Sequence, residues 1–563
     1  MPGRFRRRWL RSSRTYVIIL LAVLLGWLTY RQLTPASAIN FERVQMPDTR
    51  QPGSDYTSLA IGPDGKLYGC TVKGLIVRFA LNADGTTGPP EVFTSLQRAN
   101  AEPRLAIGLV FDPRSTASDL IVWVSHTQDT SEDVPDWTGK ITRLSGPDLE
   151  LVQDYVVELP RSTNDHLTNS LVFGPDGALY VTQGSNAAMG AADSGWGDRA
   201  EHVLNAAVLR IDIAAIQRPP LSVKSDDGGS YDPYAAGAPV TVYASGLRNA
   251  YDLLWHSNGQ LYVPINGSSA GGNTPATPAD LRTWASCQRR IDGKPYAGPA
   301  VPALLKVKVQ PDLLARVVPG GYYGHPNPTR CEWVMNGGNP TGGGDPVEVA
   351  QYPEGTLPDP NWRGVAYRFD TNYSPDGIIE YRGDAFGGLL RGKILIAGWT
   401  RGVILVLEPG GPNLDIVSAQ IDIPSLNDLD HPLDLIENPA NGYLYVAEYG
   451  RQQITLLRPV SQPAGEPTPS PQHDRGEVVF KTNACSGCHA TSEQKLVGPG
   501  LAGLMDGGGP YAGKLPNGKP IDDASVSEWI RSGGTGKIGV MPGYPDLSDQ
   551  DMSALLDFLK TLR

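Results

Sequence analysis

Residues Ser58–Phe79 read "SLAIGPDGKLYGCTVKGLIVRF". Apolar residues alternate up to a Gly-Pro-Asp-Gly turn and alternate again beyond it. Alternation keeps one face of each strand inward, and glycine at the turn supplies positive φ, so the stretch predicts a β-hairpin. The pattern recurs as "SLVFGPDGALYVTQGS" (Ser170–Ser185) and "DLLWHSNGQLYVPING" (Asp252–Gly267). Looser copies are "GLVFDPRSTASDLIVWVSHT" (Gly108–Thr127), "GGLLRGKILIAGWTRGVILVLEP" (Gly387–Pro409) and "DLIENPANGYLYVAEYGRQQITLL" (Asp434–Leu457). Six such units with long loops between them predict radial repetition, a mainly β, six-bladed β-propeller over 39–458. A β-sandwich needs fewer hairpins and gives the motif no reason to recur.

The repeats stop at "RPVSQPAGEPTPSPQHD" (Arg458–Asp474). Its prolines cannot continue a helix or a central strand, so 459–473 reads as a semi-extended linker. A small all-α unit is expected over 474–563. There "LSDQDMSALLDFLKTL" places Met552, Leu555, Leu556 and Leu559 at helical spacing behind Ser548, an N-cap with Asp551 three residues on. Gly476, on an earlier helix, would let this last helix cross closely.

Glycine (65) and proline (49) make up about a fifth of the 563 residues, which suits a turn-rich globular chain. The net charge of −11 argues against nucleic acid, whose phosphates call for a basic partner surface. Only the N-terminus departs from that acidity. Residues 1–38 carry Arg4, Arg6, Arg7, Arg8, Arg11 and Arg14 ahead of the apolar run Tyr16–Tyr30, then "ASA" at Ala36–Ala38. This predicts an apolar helix serving as a membrane anchor (residues 16–30) or as a cleaved signal; both export the remainder to the extracytoplasmic, periplasmic side. In such a compartment Cys287 and Cys331 could pair. Cys70 reads as an ordinary buried strand cysteine.

In "KTNACSGCHATSE" (Lys481–Glu493), Cys485, Cys488 and His489 stand in the Cys-x-x-Cys-His order that covalent attachment of a c-type haem requires. A zinc or dithiol site is the alternative for a bare Cys-x-x-Cys; the adjacent histidine, export signal and flanking helices disfavour it. Residues 474–563 resemble a class I cytochrome c. The resemblance implies thioether links at Cys485 and Cys488, His489 as proximal iron ligand, Pro499 beside it, and Met541 in "GVMPGYPDLS" as distal ligand. Met505 lies too near His489 for that role, and Met552 faces a helix core.

The propeller shows no nucleotide fingerprint, and the glycines of "NPTGGGDP" (Asn339–Pro346) lack a following Lys-Ser/Thr. "NDHLTNSLVFGPDGALYVTQG" and "ASGLRNAYDLLWHSNGQLYV" resemble the glucose/sorbosone dehydrogenase family, soluble-type aldose dehydrogenases that use pyrroloquinoline quinone (PQQ) in a six-bladed propeller. The resemblance implies His166 as general base, Arg248 and Asn249 as quinone contacts, and calcium on backbone oxygens around Gly267 and Ser268. Thr400 and Arg401 fall in a segment where the family also contacts PQQ. His325 and Trp399, in other loops, are secondary candidates. The chain departs from the family's pattern in three places. Acidic residues that usually follow the calcium-binding Gly-Pro are absent from "NGSSAGGNTPA", Thr400 stands where a lysine is expected, and His431 and Leu433 stand where a later arginine pair would clamp PQQ carboxylates.

Chemistry explains the residue types. Oxidising an anomeric hydroxyl calls for a neutral imidazole to take the proton and a guanidinium to stabilise the reduced quinone. The expectation is an exported, membrane-anchored quinoprotein dehydrogenase that oxidises a sugar or alcohol and passes electrons through its own haem to a respiratory-chain acceptor. The alternative is a non-catalytic propeller serving as a binding scaffold for an electron-transfer cytochrome.

Overall fold

In the turn that follows Ser58–Ile61, the Asp64 carboxylate accepts from Lys66 N and from the Tyr68 hydroxyl at 2.8 Å, and Gly65 takes φ +72°. Asp176, Gly177 and Tyr180 repeat this arrangement; Asn258, before Gly259, likewise accepts from Gln260 N but donates through Nδ2 to the Tyr262 hydroxyl. A turn acceptor, a residue with positive φ and a tyrosine four residues after the acceptor therefore form one local unit, which is why the motif is legible in sequence.

The computed structural model describes 39–460 and 475–562, apart from 51–52, 54, 130–133, 281–289, 299, 478, 481–482, 484, 486–488, 493–494, 496–497, 506–512, 537–538 and 546. The expected apolar N-terminal helix, linker residues 461–473, Cys287 and Cys488 lie outside these residues, while Pro459 ends the last strand of the propeller. Among the described residues no helix is long and apolar enough to cross a membrane. The chain forms two units that divide at Val460 and Ser461.

The first unit is a six-bladed β-propeller. Blade 1 comprises Tyr56–Ile61, Leu67–Thr71, Ile76–Leu81 and Thr87–Phe93, each strand antiparallel to the next. Blade 2 begins at Arg104–Phe111, blade 3 at Thr168–Phe173, blade 4 at Leu254–Trp255, blade 5 at Pro375–Glu380 and blade 6 at Pro432–Asn438. Blade 6 takes its outermost strand, Phe41–Gln45, from the start of the propeller and pairs it with Gln453–Pro459, which closes the ring. At the axis, Asp434 of blade 6 accepts from Leu59 N of blade 1 at 2.7 Å. One segment was misassigned by its sequence pattern. Gly387–Pro409 holds the second and third strands of blade 5, whereas the innermost strand is "PDGIIE", whose Pro-Asp-Gly reads as a turn.

Both faces of each blade are buried. In blade 3, Leu179 and Val181 pack against Trp123 and Ile141 of blade 2, while Tyr180 between them packs with Leu261 and Val263 of blade 4. Equivalent cores join each remaining pair of neighbours, among them Phe79 with Tyr445 across the closure. Burying a large aliphatic or aromatic side chain contributes about 1.5–3 kcal/mol, so blade packing dominates stability.

The ends of the second strands set up the site. Blades 5, 6 and 1 make tight turns there, at Trp399–Gly402, Tyr449–Gln452 and Val72–Leu75. Blades 2, 3 and 4 instead carry long segments, 129–138, 184–206 and 266–310. The latter two, with the 318–366 connection of blade 4, build a cap with its own core, in which Met189, Val301, Trp333 and Met335 are buried.

The second unit is helical around a small core. The Ser548 hydroxyl caps the helix Asp549–Thr561 by accepting from Asp551 N. Met552, Leu555, Leu556 and Leu559 are buried. A Cβ on Gly476 would lie 2.0 Å from the Ala554 carbonyl, so only glycine allows this crossing.

Candidate functional site

His166 stands two residues before the first strand of blade 3, and Arg248 a few residues before that of blade 4, so both emerge at the end bearing the long loops. Ser185 connects them. Its hydroxyl lies 2.8 Å from His166 Nδ1, and its backbone N donates to the Arg248 carbonyl at 2.8 Å. The Trp196 ring touches both side chains: its centroid is 4.2 Å from that of His166, and the Arg248 guanidinium lies 5.5 Å from it. Under that indole His166 is only 2% exposed. Burial, and then the charges of Arg248 and His325, hold its pKa well below the ordinary imidazole value, so it is neutral.

Arg248 borders an open pocket with a cavity volume of about 30 Å³. Its Nε donates to the Ala188 carbonyl at 2.8 Å, and Nη1 to those of Asn266 and Gly267 at 3.2 and 3.0 Å. Burial lowers its pKa to about 10, which leaves it charged at neutral pH. Other walls are the amides of Asn266, Gln310 and Asn336, Ser268, and apolar Ile265, Leu313, Met189 and Met335. Neither His166 nor Asn249 borders this cavity. The Asn249 carboxamide accepts from Asn169 Nδ2 at 2.9 Å, across to blade 3.

Beneath the cavity two carboxylates are buried. Asp312 accepts from the backbone N–H groups of Gly267, Tyr373 and Ser374. Asp376 accepts from Asn266 Nδ2 at 3.0 Å and the Ser374 hydroxyl at 3.2 Å. Burial, chiefly, raises the Asp376 pKa to about 8.

Thr400 and Arg401 sit on the exposed turn of blade 5. The Arg401 guanidinium lies 5.8 Å from the Tyr373 ring centroid. Among the described residues it makes no ion pair. His431, beside Trp399, pairs with Asp430. The glycine-rich 339–346 loop folds over its own Glu348, which accepts from Thr341 N and Gly343 N.

PQQ and calcium fit these residues differently. For a planar anionic quinone the pocket supplies a guanidinium, three amides and apolar walls, a donor set that fits the chemistry of its ring and one carboxylate. Calcium at Gly267 does not fit. That carbonyl already faces the Arg248 guanidinium, and a divalent ion there would meet a like charge at short range.

In the helical unit, Cys485 is half-buried, and His489 Nδ1 lies 2.8 Å from the Pro499 carbonyl. Donation from Nδ1–H leaves the Nε2 lone pair for iron. Gly498 packs on the ring, since a Cβ there would lie 2.5 Å from His489 Cε1. Met541 ends the strand Gly539–Met541, paired with Gly534, and packs on the helical core. Cysteine, histidine and methionine in these settings fit a haem.

The first unit is thus a propeller with a polar cavity at one end, and the second is a cytochrome c domain. Residues 473–563 match the cytochrome c family. Over 92 residues the chain is 37% identical to cytochrome c oxidase subunit 2 of Alkalihalophilus pseudofirmus, a match covering 16% of this chain and 25% of that relative. The propeller is similar to a PQQ-bound aldose sugar dehydrogenase from Streptomyces coelicolor, with 18% identity, 75% of this chain and 98% of that one covered, and a TM-score of 0.45. It is also similar to a glucose dehydrogenase-like oxidoreductase from Thermus thermophilus (20% identity, 74% and 99% covered, TM-score 0.44). A soluble aldose sugar dehydrogenase from Escherichia coli gives 15%, 75%, 100% and 0.44.

The family resemblance implied Arg248 and His166 but not Trp196 or Glu201. Both lie in the long 184–206 segment, where no periodicity marks them.

Proposed function

We propose that the protein is an exported, membrane-tethered dehydrogenase that oxidises a sugar or related alcohol in the propeller and passes the electrons to its own c-type haem. The observation that carries this reading is the convergence of the neutral His166 imidazole and the charged Arg248 guanidinium against the Trp196 ring, at the propeller end that holds the cavity. PQQ, when bound, supplies an electrophilic carbonyl that accepts hydride and later releases electrons singly. The chain's own residues do the rest. Arg248 offers Nη2 to an anionic oxygen, Asn266, Gln310 and Asn336 orient polar groups, and the cap above Met189 and Met335 limits water. A haem in the same chain replaces a diffusional encounter with a high effective concentration of acceptor.

The test is to purify the full chain with haem, add PQQ, and follow haem absorbance on mixing with aldoses. Substrate-dependent reduction that drops at least a hundredfold in Arg248→Ala is expected. A specific observation favours the scaffold reading: among the described residues one guanidinium borders the cavity, where a tricarboxylate wants more. Failure of the full chain to bind PQQ would decide for the scaffold.

A further inference from the structure

The cavity beside Arg248 has an imidazole in its wall, and it belongs to His325. This residue lies in the connection between the third and fourth strands of blade 4. Its Nε2 is 2.9 Å from Glu201 Oε1, and the two side chains are 3% and 0% exposed. Glu201 is itself anchored, because its carboxylate accepts from Asn186 N at 2.9 Å and Ala187 N at 3.0 Å. A carboxylate so placed takes the ring N–H at Nε2, which assigns the tautomer and leaves Nδ1 unprotonated. Among the described residues Nδ1 has no partner. An anchored carboxylate, an oriented imidazole and a nitrogen left for a molecule in the cavity are the parts of a general base. His166, by contrast, is covered by Trp196 and does not border the cavity.

We propose that His325, oriented by Glu201, is a catalytic residue, the base that takes the hydroxyl proton of a substrate held in the cavity. The inference rests on the dehydrogenase reading. The O–H proton would pass to Nδ1, a bound quinone would be the acceptor of the carbinol hydride, and the Glu201 carboxyl group would face the resulting imidazolium. The charged and titratable groups facing His325 are Glu201, which favours the protonated ring, and Arg248 and Arg330, which oppose it, with His166 nearby. Glu201 is a positioning residue.

Diethyl pyrocarbonate, which acylates accessible neutral imidazoles, tests this on the full chain without cofactor, with sites mapped by peptide mass spectrometry. His325 should react at least tenfold faster than His166. His256, whose Nε2 meets the Gly392 carbonyl and whose Nδ1 accepts from Asn258 N, serves as the unreactive folding control, and exposed His431 as the reactive one. Saturating PQQ should slow His325. His166 reacting first would overturn the proposal. If PQQ gives no protection while His325 stays reactive, the cofactor reading fails and the labelling order stands. In Glu201→Gln, the acid limb of the kcat/KM profile for haem reduction should move to lower pH by at least about half a unit, with KM within twofold. An unchanged profile would leave Glu201 a mere brace and sink the dyad.

Discussion

Trp196 lies over His166, ring centroids 4.2 Å apart and planes tilted by 44°. The indole comes from an exposed segment whose turn is completed by Gly197 at φ +67°, and Asn164 Nδ2 donates to the Gly195 carbonyl at 3.2 Å. Trp196→Ala should uncover His166, raising its acylation by diethyl pyrocarbonate at least tenfold. The propeller should melt within a few degrees of wild type, because the loop is outside the blade cores. Unchanged protection would mean that other atoms shield the ring.

His202 is held between two carboxylates, with Nε2 2.8 Å from Asp136 and Nδ1 2.8 Å from Asp226. Burial alone would lower its pKa, but the two hydrogen bonds and charges raise it to about 9. A folded pKa above the unfolded value of about 6.5 gives stabilisation that is complete below pH 6.5 and is lost as pH rises through 9. Thermal melts of His202→Gln and wild type should differ by on the order of 2–3 kcal/mol at pH 6 and converge above pH 9.5. A gap independent of pH would refute a charged His202.

Asp376 presents the opposite case, an acid whose pKa of about 8 lies far above the unfolded value near 3.8. The folded chain binds the proton more tightly, so this group lowers stability progressively as pH rises from about 4 to 8. Asp376→Asn keeps a neutral side chain of the same shape beside Asn266 and Ser374. It should melt higher than wild type at pH 8 and about equally at pH 4. Equal melting at both values would show that Asp376 ionises freely in the folded protein.

Gly498 sits against the His489 ring, with no room for a Cβ. Gly498→Ala should push the imidazole off the Pro499 carbonyl and slow haem reduction by on the order of tenfold, as loss of support for a metal ligand does. Propeller melting should not change. A wild-type reduction rate and potential would show that the ring has slack.

Much of the propeller could be read directly because each hairpin is a local event. Asp64 reaches Tyr68 four residues away, and Gly65 supplies its own turn. Ser548 likewise caps its helix within three residues. The innermost strand of blade 5 escaped for the opposite reason. Gly377 is there because the Asp434 backbone approaches to 2.7 Å from where its Cβ would be, a contact made across two blades.

The site divides in the same way. Sequence alone determined the hairpin repeat and the haem attachment run, since each depends on neighbours a few residues apart, whereas Arg248 is singled out only through a family resemblance. Tertiary structure decided that Trp196 covers His166, that Arg248 faces the Gly267 carbonyl, and that Glu201 meets His325 across 124 residues. Those contacts arise from the folding of blades 3 and 4 and their packing side by side, which brings their loops to one end. No local pattern of residue types records which loops will meet there.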